Sequence, residues 1–224
     1  ITSRFNLVAD ETITQIDLGY AHAIARSSDN RIFTWGYNNA GQLGDNTVID
    51  KHMPIDITNR LNLDENESIV EITSGVDHNM ILTSHNRVFA WGNNMYGALA
   101  DGTNVSMYVP TDITVHFNLL NGETISDLSL GHWYSSVTTS LNRVFVWGTN
   151  EYGQIGDGTT EFRYSPTEIT NQFNLDVYET LKQVVLGRDM VIALSSENRV
   201  FMWGANYAMQ LADDSGIHKH VPTD

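Results

Sequence analysis

The chain contains no cysteine and no apolar run long enough to cross a membrane. Without cysteine, disulfide bonds and thiolate metal sites are excluded, and the redox compartment stays open. A membrane-spanning helix needs about 20 consecutive apolar residues, and no segment approaches this length. The sequence therefore predicts a protein that has no disulfide cross-links and does not insert into a membrane.

Basic residues are also scarce. The chain has 12 Lys and Arg against 27 Asp and Glu, which gives a net charge of −15. Nucleic-acid binding depends on Lys and Arg that neutralise phosphates, so DNA, RNA and anionic membranes are disfavoured as partners. The excess of negative charge serves solubility or steers a basic partner.

Proline is rare and strictly placed. The four prolines are Pro54, Pro110, Pro166 and Pro222, and they are 56 residues apart. Four tryptophans share this spacing, at Trp35, Trp91, Trp147 and Trp203. Since 4 × 56 equals the 224 residues of the chain, we predict one domain over 1–224 with repeat units 1–56, 57–112, 113–168 and 169–224. A repeat of this length is typical of propellers, solenoids and arrays.

Each unit contains the pattern of four short strands. In the second unit we predict strands over 69–74, 79–83 and 87–91, and a fourth from Val109 through Thr114. Pro110, near the start of this fourth strand, suits an edge position, where a missing N–H costs nothing. Short β-branched and aromatic segments bounded by Gly and Asn favour strands over helices. The predicted fold is all-β, a β-propeller-type array of four 56-residue, four-stranded antiparallel blades.

The motif itself resembles a known family. In the second unit it reads Gly75-x-x-His78, Leu82-Thr83, Trp91-Gly92-x-Asn94-x-Tyr96-Gly97-x-Leu99-x-Asp101-Gly102-Thr103, followed by Pro110. This pattern recurs four times in register and resembles the regulator-of-chromosome-condensation repeat over the whole chain. The resemblance implies a propeller, which in this family usually has seven blades. The founding member's nucleotide exchange on a small GTPase depends on an inserted wedge, and the regular 56-residue spacing leaves no room for one.

Four repeats are fewer than the resemblance implies, and three explanations stay open. The chain begins inside a repeat, without an initiator Met or signal peptide, so it is expected to be a window on a longer array. Alternatively, two chains pair into an eight-bladed ring, or four blades close alone. Pro222-Thr223-Asp224 followed by Ile1-Thr2 would complete one fourth strand. The refrain Ile-Thr-x-x-Phe-Asn-Leu resembles long bacterial surface proteins and favours an extracellular or cell-surface location over a cytoplasmic one.

Positions that are identical in all four units are expected to serve the blade itself. The tryptophans should fill the wedge between blades, and the following glycines should allow a tight bend. An Asp in each long loop should stabilise a turn, since one carboxylate is too few for calcium. The repeat arginines should lie over a neighbouring ring or carbonyl rather than bind phosphate. The long loop loses a glycine at Met209, which predicts an irregular loop in the fourth unit. The predicted structural positions are Trp35, Trp91, Trp147, Trp203, Gly36, Gly92, Gly148, Gly204, Asp45, Asp101, Asp157 and Asp213.

No catalytic, cofactor-binding or metal-binding residue is predicted. The sequence has no nucleophile elbow, phosphate loop or metal-ligand spacing. His218 and His220 could share one face of an extended segment, but two ligands are too few for a metal, so they are interpreted as exposed loop residues. We therefore expect a protein that is not an enzyme and that needs no cofactor.

Binding is predicted at positions that differ between units but lie beside constant ones. The links after the first strand carry aromatic, His, Asp and Arg side chains, the types enriched at binding hot spots. The predicted partner-binding residues are Tyr20, His22, Asp77, His78, His132, Trp133, Tyr134, Arg188 and Asp189. A second variable set lies on the long loops at Tyr37, Met95, Tyr96, Glu151, Tyr152 and Tyr207.

Two functional hypotheses follow. The first is a non-enzymatic protein–protein interaction module that binds an unidentified protein through the variable loops. The second is a self-assembling structural unit, a homo-oligomer or surface polymer, that joins through the terminal segments 1–7 and 218–224.

Overall fold

The computed structural model describes residues 2–224 and confirms the all-β prediction, with four separate sheets of four antiparallel strands each. The first sheet contains β1 (Ile13–Leu18), β2 (His22–Ser27), β3 (Ile32–Gly36) and β4 (Lys51–Asp56). The second contains β5 (Ile69–Ser74), β6 (His78–Thr83), β7 (Val88–Gly92) and β8 (Met107–Asp112). The third contains β9 (Ile125–Leu130), β10 (Tyr134–Thr139), β11 (Val144–Gly148) and β12 (Arg163–Glu168). The fourth contains β13 (Leu181–Leu186), β14 (Met190–Ser195), β15 (Val200–Gly204) and β16 (Lys219–Thr223).

Every sheet has its strands in chain order, so each inner strand pairs with the strands before and after it, and the first and fourth strands are edges. The prolines lie in β4, β8, β12 and β16, which are edge strands, as predicted. Short 3₁₀ helices follow the edge strands or precede β1, at Thr2–Phe5, Thr58–Arg60, Thr114–Phe117 and Thr170–Phe173. Among the described residues, no helix is long and apolar enough to span a membrane.

The predicted bounds of the fourth strand are wrong. In the second unit the strand begins at Met107 and ends at Asp112. The Asp112 carboxylate accepts hydrogen bonds from the amide and hydroxyl of Thr114, at 3.0 and 2.6 Å, and these turn the chain into a 3₁₀ helix. Thr2 lies in the equivalent 3₁₀ helix, so it does not complete a fourth strand as predicted, and Ile1 lies outside the described residues.

The chain divides into two compact units. Unit 1 holds residues through Met95 together with Asn104–Val115, and so contains the first two sheets. Unit 2 holds Tyr96–Thr103 together with His116–Asp224, and so contains the third and fourth sheets and one loop of the second repeat.

The core of each unit lies between its two sheets. In unit 1, Ile24 and Ile32 of the first sheet pack with Ile69, Ile72 and Trp91 of the second. Unit 2 has an equivalent cluster that includes Val144, Val184, Phe201 and Trp203. A single sheet of this size could not bury its apolar face, so the pairing of sheets supplies the hydrophobic stabilisation.

The long loop of the fourth repeat is regular, so the predicted irregularity is wrong. Met209 adopts φ 61°, close to the φ of 79° at the equivalent Gly41. Its hydrogen bonds are also kept, with Ala212 N donating to Met209 O at 3.1 Å and Leu211 N to Asn206 Oδ1 at 2.9 Å. A side chain fits because Met209 is exposed, whereas a Cβ on Gly41 would lie 2.1 Å from Tyr108 Cδ1. The loop therefore keeps its path and carries backbone strain at Met209.

Candidate functional site

The links that follow the first strands point some of their predicted binding residues inward. His22, His78 and Tyr134 are at most 4% exposed. His22 Nε2 lies 2.9 Å from Asn79 Oδ1 of the neighbouring sheet, and the Tyr134 hydroxyl donates to Met190 O at 2.7 Å. His22 and Tyr134 therefore tie neighbouring sheets together, and all three side chains are turned away from the surface, which corrects their assignment as surface contacts.

Burial also determines the charge state of two of these groups. It lowers the pKa of His22, which keeps the imidazole neutral beside Asn79. Burial, together with the nearby Asp189 carboxylate, raises the pKa of the Tyr134 phenol. Both side chains therefore act as neutral hydrogen-bonding groups near neutral pH.

The remaining link residues of unit 1 are dispersed. Tyr20 is 84% exposed, so its ring is available to solvent. The Asp77 carboxylate accepts a hydrogen bond from Gln42 Nε2 at 3.3 Å, which ties it to the long loop of the first repeat. Unit 1 therefore presents one exposed aromatic ring at this position.

Unit 2 brings the predicted residues together around a cavity of about 110 Å³, which we call the unit-2 pocket. Four predicted partner-binding residues and three residues of the variable loops line it, along with Thr149 and Gln154. These seven are His132, Trp133, Arg188, Asp189, Tyr96, Glu151 and Tyr152. The pocket thus combines link and loop positions that sequence reasoning had placed in two separate sets.

Aromatic rings form two groups at the unit-2 pocket. Trp133 stacks on His132, with ring centroids 3.9 Å apart, and packs against Tyr96 at 4.9 Å. On the other side, Tyr152 packs edge-on against Tyr207 at 6.0 Å and against His218 at 5.2 Å. Contacts of this kind hold the rings in place, because each ring limits the rotation of the next.

The first repeat lacks the residues that build this arrangement. Its residues at the positions of Tyr96, Trp133 and Phe162 are Ala40, Ala21 and Asp50. In the first repeat, the side chain at the position of Phe162 accepts a hydrogen bond from the backbone of the long loop. There, Asp50 Oδ1 accepts from Asn38 N at 2.9 Å. A phenyl ring offers no such acceptor, and Phe162 instead packs edge-on against Tyr96 at 5.5 Å. The third repeat therefore replaces a structural hydrogen bond with an aromatic contact, a local departure that is typical of functional sites.

The charges of the pocket are mixed. Asp189 Oδ2 lies 3.3 Å from Arg188 Nε and 3.4 Å from the Tyr207 hydroxyl. The Arg188 side chain is 76% exposed, so this ion pair is weakly held. Glu151 is exposed at the rim. With one arginine and two carboxylates, the pocket carries a net negative charge when His132 is neutral.

Trp133 differs from the repeat tryptophans in its hydrogen bonding. Trp91, Trp147 and Trp203 donate through Nε1 to carbonyl oxygens at 2.8–3.0 Å, across the wedge between neighbouring repeats. The Trp133 Nε1 atom is buried without an acceptor in the part of the chain that the structure describes, residues 2–224. No structural hydrogen bond of this ring explains why a tryptophan stands at this position.

The repeated Asp and Gly residues hold the blade and its loops. Asp45 accepts a 2.7 Å hydrogen bond from the Thr47 hydroxyl and pairs with Lys51 at 3.0 Å. Asp157 accepts the equivalent bond from Thr159, also at 2.7 Å. The glycines after the repeat tryptophans have φ of 99–112°, and a Cβ on Gly92 would lie 2.4 Å from the Asp77 carbonyl oxygen.

Sequence reasoning missed one repeated residue, a glutamate that binds each repeat arginine. Arg87 lies over the Phe89 ring at 4.8 Å, and its Nε donates to Glu67 Oε1 at 2.9 Å. The Glu67 side chain has no exposed surface. The same pairing joins Arg31 to Glu11, Arg143 to Glu123 and Arg199 to Glu179. The signal was the shared 56-residue spacing of these glutamates.

A metal-ligand arrangement occurs once among the described residues, at Asp64, Glu67 and His85. Glu67 is already bound to Arg87, whose positive charge would repel a cation, so these residues do not fit a metal. His218 and His220 are partly buried and are not the exposed loop residues that were predicted. His218 Nδ1 accepts from Asn206 N at 2.9 Å, and the His220 backbone packs against Gly153.

Comparison with known proteins identifies the repeat. The sequence profile described as "Regulator of chromosome condensation (RCC1) repeat" matches residues 29–82, 85–137 and 142–194. A second profile of the same description matches residues 13–42 and 69–98. Together these matches cover most of the chain.

Among curated proteins, the probable E3 ubiquitin-protein ligase HERC4 of Homo sapiens is 27% identical over 216 residues, 96% of this chain and 19% of that protein. The ultraviolet-B receptor UVR8 of Arabidopsis thaliana is 27% identical over 166 residues, 74% of this chain and 36% of the receptor. The chain thus spans about a fifth of the first relative and about a third of the second.

Solved structures show the same fold. Human WBSCR16 superposes with a TM-score of 0.81 at 20% identity, over 96% of this chain and 53% of that one. Yeast RCC1 (Prp20), solved bound to Kap60, superposes with a TM-score of 0.76 at 18% identity, over 97% of this chain and 49% of that one. Identities this low establish the fold alone. From the profile matches and the repeated blade, we conclude that the chain belongs to the regulator of chromosome condensation (RCC1) repeat family, whose propeller fold it shares.

Proposed function

We propose that this chain is a non-enzymatic protein-interaction module that binds its partner through the unit-2 pocket. The observation that carries the proposal is the clustering of His132, Trp133 and Tyr96 with Arg188 and Asp189 on an otherwise regular scaffold. Trp, Tyr and Arg are the residues that most often dominate binding energy at protein interfaces. The exposed rim and the small volume, about 110 Å³, suit a contact with one or a few side chains of a partner.

Family relatives support binding to proteins in general. Yeast RCC1 (Prp20) was solved bound to Kap60, and another structure of it is described together with its binding to Gsp1p and histones. Those partners belong to that protein, and 18–19% identity gives no reason to transfer them. What transfers to the proposal is that a scaffold of this fold binds other proteins.

Replacing Trp133 by alanine is expected to weaken partner binding by about 30-fold or more, the loss of a hot-spot aromatic of about 2 kcal/mol. Peptides from a random library displayed on phage would be selected on the whole chain, and their affinities measured for wild type and variant. Tyr178→Ala is the matched control, because Tyr178 is 95% exposed, lies before β13 and does not line the unit-2 pocket. Peptides that bind both variants as tightly as wild type would refute the proposed site.

The second candidate function, self-assembly, is favoured by two exposed apolar faces. Ile192 and Val200 of the fourth sheet are 38% and 44% exposed, whereas the equivalent Ile24 and Ile32 are fully buried under the second sheet. Ile16 of the first sheet is 68% exposed, whereas its equivalent Ile72 is 2% exposed. The first sheet of one copy could cover the fourth sheet of another as the second covers the first.

Light scattering over a concentration series tests this second candidate. We expect a mass that rises with concentration in the wild type and stays monomeric in Ile192→Lys, because a buried lysine would oppose the contact. Met209→Gly should strengthen association, since glycines at this position admit the neighbouring edge strand. A wild-type chain that remains monomeric at all concentrations would exclude self-assembly.

A further inference from the structure

We propose that the unit-2 pocket takes the side chain of an arginine or lysine from an extended peptide segment. This inference rests on the proposed binding function and names the chemistry of the partner. It combines three features of the pocket, namely an aromatic surface, two carboxylates and a volume suited to a single side chain.

The aromatic surface suits a cation. Trp133 and Tyr96 pack on each other, with ring centroids 4.9 Å apart and an inclination of 34°, and form one aromatic surface of the cavity, which Tyr152 also lines. The faces of Trp and Tyr attract ammonium and guanidinium groups through their ring quadrupoles. The stem of a long basic side chain would at the same time cover apolar ring surface.

The charges favour a cation over an anion. Glu151 stands at the rim, and the side chain of Asp189 is only 12% exposed inside the pocket. Arg188 partly neutralises Asp189, but its exposed side chain can move into solvent when another cation approaches. An acidic ligand would have to overcome both carboxylates and a chain of net charge −15. A basic ligand is drawn toward the same field.

The volume limits what can enter. A cavity of about 110 Å³ has room for one long side chain and is smaller than the sites of about 300 Å³ or more that enclose a small molecule such as a nucleotide. The peptide backbone would then run across the rim. The specificity of the pocket is accordingly for a basic residue within a flexible or extended segment, and neighbouring residues of the partner remain in contact with the loops.

The indole signal of Trp133 in a ¹H–¹⁵N NMR spectrum reports on this pocket directly. It is assigned by its loss in Trp133→Phe, and it is followed during titration with acetyl-Ala-Ala-Arg-Ala-Ala-amide. Matched peptides carry lysine, citrulline or glutamate in place of arginine. We expect the arginine and lysine peptides to shift the signal, citrulline to bind at least about 10-fold more weakly, and glutamate to leave it unchanged.

Glu151→Gln should weaken the arginine peptide about 3- to 10-fold, whereas Glu161→Gln, an exposed glutamate on the same loop but outside the pocket lining, should have no effect. Equal binding of the citrulline peptide, or no response to arginine and lysine at several millimolar, would overturn the inference. Display-selected peptides that require Trp133 but contain no basic residue would overturn it while leaving the proposed binding function intact.

Discussion

Replacing Trp91 by alanine is expected to lower the free energy of unfolding by about 3–5 kcal/mol, the range for a buried tryptophan. The Trp91 side chain is fully buried between the two sheets of unit 1. Its Nε1 donates to the Gln42 carbonyl oxygen at 3.0 Å, so truncation leaves a cavity and removes one of two hydrogen bonds to this oxygen, the other coming from Asn79 Nδ2 at 2.8 Å. Urea unfolding followed by circular dichroism measures the loss.

Trp35→Ala provides a control within the same repeat position. Trp35 is only partly buried, and it packs edge-on against Phe5 at 5.4 Å on the first sheet. Because less apolar area leaves water on folding, its truncation should cost no more than about half as much as that of Trp91. Similar losses at both positions would contradict the view that stability comes from the interface between sheets.

The architecture could be predicted because the chain repeats the same blade sequence four times. Four tryptophans at a spacing of 56 residues identify the repeat, and the edge-strand prolines indicate which strand lies outermost. Comparing the four units with one another reveals which positions the blade requires, because each unit forms the same four-stranded sheet. The buried glutamates, such as Glu67, recur at the same spacing and are therefore also predictable from the sequence.

Details that depend on one hydrogen bond or one neighbour could not be predicted in this way. The fourth strand of the second repeat ends at Asp112 because its carboxylate accepts hydrogen bonds from Thr114. The pattern of β-branched residues alone does not reveal that turn. Met209 was expected to alter its loop, but its surroundings are open and the loop tolerates φ 61°. Residue type predicts that a positive φ is unfavourable for methionine. Only the contacts around Met209 show that the side chain has room in this conformation.

The candidate site was predicted in its composition and not in its geometry. Variation between repeats drew attention to Trp133, Arg188 and Asp189, and the structure places all three around one pocket. The same reasoning included His22 and His78, because variation alone does not distinguish inward from outward side chains. Phe162 was missed, since the loss of a capping side chain becomes visible only when the hydrogen bonds of the other repeats are known.

Replacing Glu67 by glutamine is expected to lower the free energy of unfolding by about 2–3 kcal/mol at neutral pH. Glu67 is buried against Arg87, Thr83 and the Asp64 amide, and a fully buried pair that loses one partner costs about 3–5 kcal/mol. The lower figure applies here because the Arg87 side chain retains 23% exposure. Asp112→Asn is the control, since Asp112 lies 3.6 Å from Arg87 at the surface and should cost less than about 1 kcal/mol.

The dependence on pH distinguishes the lost charge from a packing defect. The Arg87 guanidinium lowers the pKa of Glu67 to about 2 in the folded chain, from an ordinary value of 4.5. The ion pair therefore contributes its full stability above about pH 4.5, and the contribution is lost as pH falls toward 2. The difference between wild type and Glu67→Gln should accordingly shrink over this range in urea titrations at successive pH values. A difference that stays constant from pH 7 to 3 would mean that glutamine disturbs the packing and that the charge of Glu67 is not what stabilises the blade.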